Sequence, residues 1–276
     1  MSNESLPITE IQAGRKARIQ QFFWDLWMYR DLFMAFLTRD IKVRYKQTIL
    51  GITWVVIQPL ATAGAFSMIF GGIAQMPVGS MPYPVFYLAA LVVWSNFANS
   101  LSGSAASMES SAGLISKVYF PRVVVPGAMI VSTLPDFLIG FVLLNVVAAI
   151  YGLWTPMLLL CLPLLLVSLA AACGIGLTLA ALNAQYRDVR YIVPFLIQMG
   201  MLVTPVIYPL DKVPHWGQLI LYGNPVAGVI TCFRWALGGP APPPDLITAN
   251  VCAAIVYLLI GLLFFRWREG KLVDVL

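Results

Sequence analysis

The sequence predicts an all-α polytopic membrane protein with six spans. Three observations carry that expectation. The chain is 60% hydrophobic and 11% charged, with a mean hydropathy of +0.84, whereas a soluble domain carries about 25% charged residues. Near-continuous apolar runs of ~20 residues recur along it, the length that crosses a hydrocarbon core. The 17 Lys and Arg residues are also distributed unevenly about those runs. Arg15, Lys16, Arg18, Arg30, Arg39, Lys42, Arg44 and Lys46 precede the first run. Lys117 and Arg122 follow the second, Arg187 and Arg190 the fourth, and Arg266, Arg268 and Lys271 the last. Only Lys212 and Arg234 remain for the opposite side. Cationic loops stay cytoplasmic, so both termini are expected in the cytoplasm and the number of spans is expected to be even. A membrane β-barrel would show alternating strands of ~10 residues instead.

Residues 1–47 read as a cytoplasmic N-terminus. It opens with the polar, acidic SNESLPITE, so no cleavable signal peptide is expected. At about 20–37, Phe22, Leu26, Tyr29, Phe33 and Phe36 recur at helical spacing, with Asp25, Arg30 and Asp31 on other faces. An aromatic, charged, amphipathic helix lies along the membrane interface. It anchors the N-terminus, and a second reading has it shape a substrate entrance as well. The basic stretch 39–47 follows at headgroup level.

Residues 48–265 form the membrane domain, with spans at about 49–73, 85–107, 123–151, 157–182, 192–207 and 246–265. The first contains Gln58-Pro59, which allows a kink. The third is expected to break at Pro126. The fourth carries Ala170, Gly174 and Thr178 at the spacing that permits close helix contact. Two short cytoplasmic segments, 108–122 and 183–191, read either as solvated turns or as docking helices for a soluble partner. The external segment 208–245 is too interrupted for one span, and its apolar part is expected to dip into the membrane as re-entrant helices. Residues 266–276 form a cytoplasmic tail.

Little in the chain points to catalysis. The single histidine, His215, cannot build a multi-histidine metal site, and no cysteine, histidine or carboxylate cluster has ligand spacing. There is no GxxxxGK[ST] loop for ATP and no GxSxG nucleophile motif. Neither a metal nor a cofactor is expected on this chain. Cys161, Cys173, Cys232 and Cys252 form no CxxC; Cys232, in the external segment, is the one expected to meet solvent. Asp136 is an acidic residue well inside an apolar span, read as a structural hydrogen-bonding group or as part of a pathway. Aromatics near the membrane faces read as an interfacial belt or as a platform for sugar rings. The net charge of +5 is dispersed and suits an anionic leaflet rather than nucleic acid.

Four segments carry a family resemblance. RDIKVRYKQTILGITWVVIQPL (39–60), LISKVYFPRVVVP (114–126), NAQYRDVRYIVPFLIQ (183–198), and TPVIYPLDKVP (204–214) followed by YGNPVAGVI (222–230) resemble, in order, the signatures of polysaccharide-exporting ABC-2 type permeases. The resemblance implies a homodimer bound to two copies of a separate ATPase subunit, which holds the ATP and Mg. It also implies export of a lipid-linked polysaccharide across a bacterial inner membrane. O-antigen is the first expectation, with a capsule, a teichoic acid or a small lipid or drug as alternatives. It places ATPase coupling on Ser110, Lys117, Tyr119, Phe120, Arg122, Tyr186, Arg187, Asp188 and Arg190, and an external gate on about 213–238. A pathway along spans 1, 2 and 5 makes Trp54, Phe86, Trp94, Phe97 and Tyr208 candidate liners. The cations Arg39, Lys42, Arg44 and Lys46 suit the pyrophosphate of a lipid-linked substrate at its entrance.

Overall fold

The computed structural model describes residues 27–46, 52–115, 117 and 120–270, and no strand occurs among them. Helix α1 (Arg30–Lys46) contains neither Gly nor Pro, and Asp31 in its first turn and Arg44 and Lys46 in its last suit the helix dipole. It therefore runs through the basic stretch rather than ending near residue 37. Residues 20–26 of the expected interface helix lie outside the described residues. Phe36 is buried against Phe120, with ring centroids 5.8 Å apart.

Helix α2 (Ile52–Phe66) continues through Pro59 into a π-helical turn, Ser67–Ile73. Helix α3 (Tyr83–Ser110) is the hub, buried along most of its length. A short helix, α4 (Ala112–Ile115), follows it. The third expected span divides into α5 (Val124–Val131) and α6 (Leu134–Ile150). The break falls at Ser132 and Thr133, not at Pro126. Pro126 lies in the first turn of α5, where a missing N–H costs nothing, whereas Pro135 denies the Val131 carbonyl its helical partner. The hydroxyls of Ser132 and Thr133 turn back to Met129 O and Ile130 O.

Helix α7 (Met157–Leu160) leads through a 3₁₀ turn into α8 (Leu165–Gln185). Helix α9 (Val189–Val203) follows, then α10 (His215–Tyr222), α11 (Pro225–Ala236) and α12 (Pro244–Glu269). Among the described residues five stretches are long and apolar enough to cross a membrane: 53–73, 83–110, 124–150, 157–185 and 244–269. The expected fifth span is the short α9, 15 residues long.

Contacts between distant residues define the two ends of the bundle. At one end Arg39 donates to Ser111 Oγ (3.3 Å), Arg190 pairs with Glu109 (3.3 Å) and Arg268 donates to Gln185 (2.9 Å). At the other, Thr155 donates to Ala236 O (2.6 Å) and Arg234 donates to Pro205 O (2.6 Å). Helix α9 joins them, with Arg190 at one end and Pro205 just beyond its other.

Close packing holds α8 against α12. A Cβ on Gly174 would lie 2.0 Å from Tyr257 O, and one on Gly261 would lie 2.0 Å from Gly174 O. Only glycine lets these two backbones meet.

Candidate docking face, substrate path and external gate

The coupling residues expected from sequence gather at one end of the bundle but do not behave alike. Lys117, Tyr186, Arg187, Asp188 and Arg190 are exposed, and so is Ser110, whose hydroxyl bonds Ser107 O. The Glu109–Arg190 pair brings the end of α3 beside the start of α9, so segments 108–122 and 183–191 meet at one end of the bundle. Phe120 is buried under Phe36. Arg122 is also buried. Its backbone N–H bonds Glu269 Oε1 at 2.9 Å, and its guanidinium bonds the Glu269 carbonyl. Arg122 thus ties the segment before α5 to the end of α12. Tyr119 lies outside the described residues. Glu109 and Glu269 were missed by the sequence reading, because each matters through a partner far away in the chain.

The four entrance cations divide by helical phase. Arg39, Lys42 and Lys46 lie on one face of α1, along an open groove of about 710 Å³ that Asp31 and Thr38 also line. Arg39 pairs with Asp40 at 2.8 Å and stacks on Phe36. Arg44 points elsewhere: it bonds Ser132 O (3.3 Å) and pairs with Asp136. Tyr45 donates to the other oxygen of Asp136. Burial first, and then that hydrogen bond, push the Tyr45 phenol above its usual pKa, so it remains a donor. Asp136 is therefore hydrogen-bonded from both sides, at the start of α6, just after the α5–α6 break.

The five aromatic candidates do not share one surface. Trp54 is exposed on α2. Trp94 and Phe97 are buried with ring centroids 5.8 Å apart, and Trp94 reaches α9 at Gly200. Phe86 lies at the other end of α3, and Tyr208 donates to Val203 O (2.6 Å).

Phe86 is covered by an unexpected partner. The Arg234 guanidinium sits 3.5 Å from its ring centroid and is 4% exposed. It donates to Phe86 O (3.3 Å), Pro205 O (2.6 Å), Val206 O (2.8 Å) and Tyr208 O (3.4 Å). These carbonyls end α9 and begin α3, so Arg234 fastens α11 to both. Asn224 caps α11 by accepting from Val226 N–H (3.1 Å). Asn250 of α12 accepts from Gly228 N–H (2.6 Å) and donates to Leu221 O (2.8 Å) and Tyr222 O (3.0 Å). Tyr222 donates to Asp245 at 2.5 Å, and that bond, with burial second, raises its pKa. The expected gate segment is thus a helix hairpin, with α11 buried and α10 largely exposed, beside a cavity of about 440 Å³ lined by Phe86, Asp211, Tyr222, Arg234, Pro240, Pro242 and Pro243. Cys232, expected to meet solvent, is buried; Cys252 is the exposed thiol.

A family model for ABC-2 type transporters matches residues 31–237. The chain belongs to the ABC-2 type transporter family. It is therefore a multi-pass transporter component rather than an enzyme, and it works with a nucleotide-binding partner. Similar proteins include an O-antigen export system permease protein of Myxococcus xanthus, 28% identical over 213 residues, covering 76% of this chain and 81% of that one. One from Klebsiella pneumoniae is 27% identical over 249 residues, covering 89% and 95%. The polysialic acid transport protein KpsM of Escherichia coli is 26% identical over 242 residues, covering 85% and 92%.

Proposed function

We propose that this ABC-2 type chain is the membrane-spanning permease of an ATP-driven exporter. It moves lipid-linked polysaccharide, O-antigen first, from the cytoplasm across a bacterial inner membrane. The observation that carries this is its near-full-length similarity to O-antigen export permeases and to a polysialic acid transporter. The relative named for polysialic acid keeps a capsule polymer as the second reading.

In this reading the chain has six spans, α9 being the fifth, and both termini are cytoplasmic. Supporting it, α9 links the end bearing Arg190 to the end bearing Arg234, and the start of the chain's described part lies at the same end as Glu269. The permease is a homodimer bound to two ATPase subunits, which carry the ATP and Mg. Most of α2 and α9 is left without intrachain cover, and those faces meet the second copy or border the path. The exposed surface of Lys117, Tyr186, Arg187, Asp188 and Arg190 docks the ATPase. Arg39, Lys42 and Lys46 attract the substrate pyrophosphate, while Arg44 is engaged by Asp136.

Purification from the native membrane in mild detergent tests this. A near-equimolar soluble protein bearing a GxxxxGK[ST] loop is expected to come with the chain. An Arg187→Glu/Arg190→Glu variant is expected to lose it while keeping its melting temperature. Everted vesicles holding the complex then take up lipid-linked glycan only with ATP. Recovery of the chain without any ATPase, or glycan movement that ignores ATP, overturns the proposal.

A further inference from the structure

A cavity with six polar liners opens between α2, α3 and α6. Its volume is about 300 Å³, at the lower end of small-molecule sites at ~300–1,000 Å³. Gln58, Thr62, Ser95, Asn96, Asn99 and Asp136 line it, in the middle of stretches otherwise apolar enough to cross a membrane. Polar side chains at that depth face a bundle interior or a wet path, not lipid.

Three observations make this a built site rather than a packing gap. Asn96 is 3% exposed and gives its amide N–H groups to Thr133, yet its Oδ1 has no partner within the protein. A buried polar atom left unpaired is costly, so polar character is kept beside this cavity at the expense of packing, although Oδ1 itself is sealed from it. Asp136 is fixed by Arg44 and Tyr45, one on each oxygen, and a carboxylate has about four acceptor positions. Half of its accepting capacity therefore remains for the cavity. Pro59 has no N–H, so the Val55 carbonyl, on a residue that also lines the cavity, lacks its helical partner.

Acceptors dominate: the Asp136 carboxylate and the side-chain oxygens of Gln58, Ser95 and Asn99. The donors are the amides of Gln58 and Asn99 and the hydroxyl of Ser95; Thr62 gives its own to Gln58 O at 2.9 Å. No Lys or Arg lines the cavity among the described residues, and Val55, Pro59, Ala98 and Met201 supply apolar wall. This set matches a ligand rich in hydroxyl donors with an apolar ring face. An anionic group would meet Asp136 with no cation beside it in the cavity.

We infer that this cavity is a binding subsite for one neutral, hydroxyl-rich sugar residue of the transported chain. The inference rests on the polysaccharide reading and deepens it, favouring a neutral polymer over an acidic one. Asp136 accepts from two sugar hydroxyls, and the exposed amides of Gln58 and Asn99 bond two further ones.

The test uses the full-length chain with its copurified ATPase in nanodiscs. Saturation-transfer NMR is read with a neutral glucose trisaccharide and with a sialic acid trisaccharide. Transfer is expected to the neutral probe and not to the acidic one. Gln58 and Asn99 are exposed and leave the Arg44–Asp136–Tyr45 contacts untouched, so Gln58→Leu/Asn99→Leu should melt as the wild type does. It should bind the neutral probe about tenfold more weakly, the value of two net hydrogen bonds. No transfer to the neutral probe, equal transfer to the acidic one, or unchanged binding by the double variant overturns the subsite. Export by cells separates the two levels. A wild type that moves polysaccharide while the double variant binds sugar unchanged keeps the exporter and loses the subsite. A wild type that moves no polysaccharide fails the exporter reading itself.

Discussion

Arg234 shows what a single residue contributes to this bundle. The charge pattern placed it in an external segment, as one of two cations outside the cytoplasmic set. It lies at the end of the bundle opposite the Glu109–Arg190 pair. Its burial was not legible, because the carbonyls that solvate it come from residues 86, 205, 206 and 208 and converge only after folding. No periodicity or motif reports a backbone acceptor. A buried guanidinium held by carbonyls is stable only while its geometry is complete. Replacing it with Met leaves those carbonyls unpaired and should cost about 3 kcal/mol. A large drop in melting temperature of the purified Arg234→Met chain is the expected outcome. Lys, with three donors and no planar fork, should recover only part of it. A Met variant as stable as the wild type would mean that the carbonyls find other donors. Asp136 is the opposite case. An acidic residue in an apolar run is visible in one dimension, and its hydrogen-bonded role was one of the two readings open from sequence.

Elements were most legible where one face repeats without interruption. The apolar runs foretold 83–110, 157–185 and 244–269 to within a few residues at each end. Boundaries failed where local chemistry competes. Helix α1 runs on to Lys46 because nothing in RDIKVRYK stops a helix, and the third span breaks at 132–133 because Pro135, not Pro126, falls where an N–H is needed. The α8–α12 crossing was half visible. Gly174 stands in a small-residue stripe, but its partner Gly261 sits in a run that carries no such stripe. Because both contacts are with backbone, neither side can yield by rotating a side chain. Gly174→Ala or Gly261→Ala should therefore push the helices apart and cost at least about 1–3 kcal/mol, as overpacking does. Gly64, in α2, is the control. Nothing lies within 4 Å of a Cβ there, and alanine should be neutral or gain up to about 1 kcal/mol in helix propensity. Melting of the three variants side by side checks this; equal effects at all three positions would show that the crossing is loose.

At the scale of the whole molecule, the number of spans turns on whether α9 crosses. Its 15 residues rise about 22 Å, short of a ~30 Å hydrocarbon core. By length alone the chain would have five spans and termini on opposite sides. Contacts point the other way. Arg190, in the first turn of α9, meets Glu109 at the end of α3, and Pro205, just past its end, meets Arg234 beside Phe86 at the start of α3. Since α3 is 28 residues long, α9 and the extended residues after it cover nearly the same distance. Charge supports this too, because Arg187 then joins Lys117 on the basic side and Lys212 stays opposite. Single cysteines at Lys117, Arg187 and Lys212, all exposed, decide between the two. They are placed in a chain whose Cys161, Cys173, Cys232 and Cys252 are replaced by Ala, so that the exposed native thiol at 252 does not report. A membrane-impermeant maleimide should label 212 in intact spheroplasts and 117 and 187 only in everted vesicles. Labelling of 187 and 212 from one side would leave α9 as a surface helix. Lys117 and Arg187 would still share a side, so the proposed ATPase seat would stand, while the six-span count and the shared side of the two termini would fall.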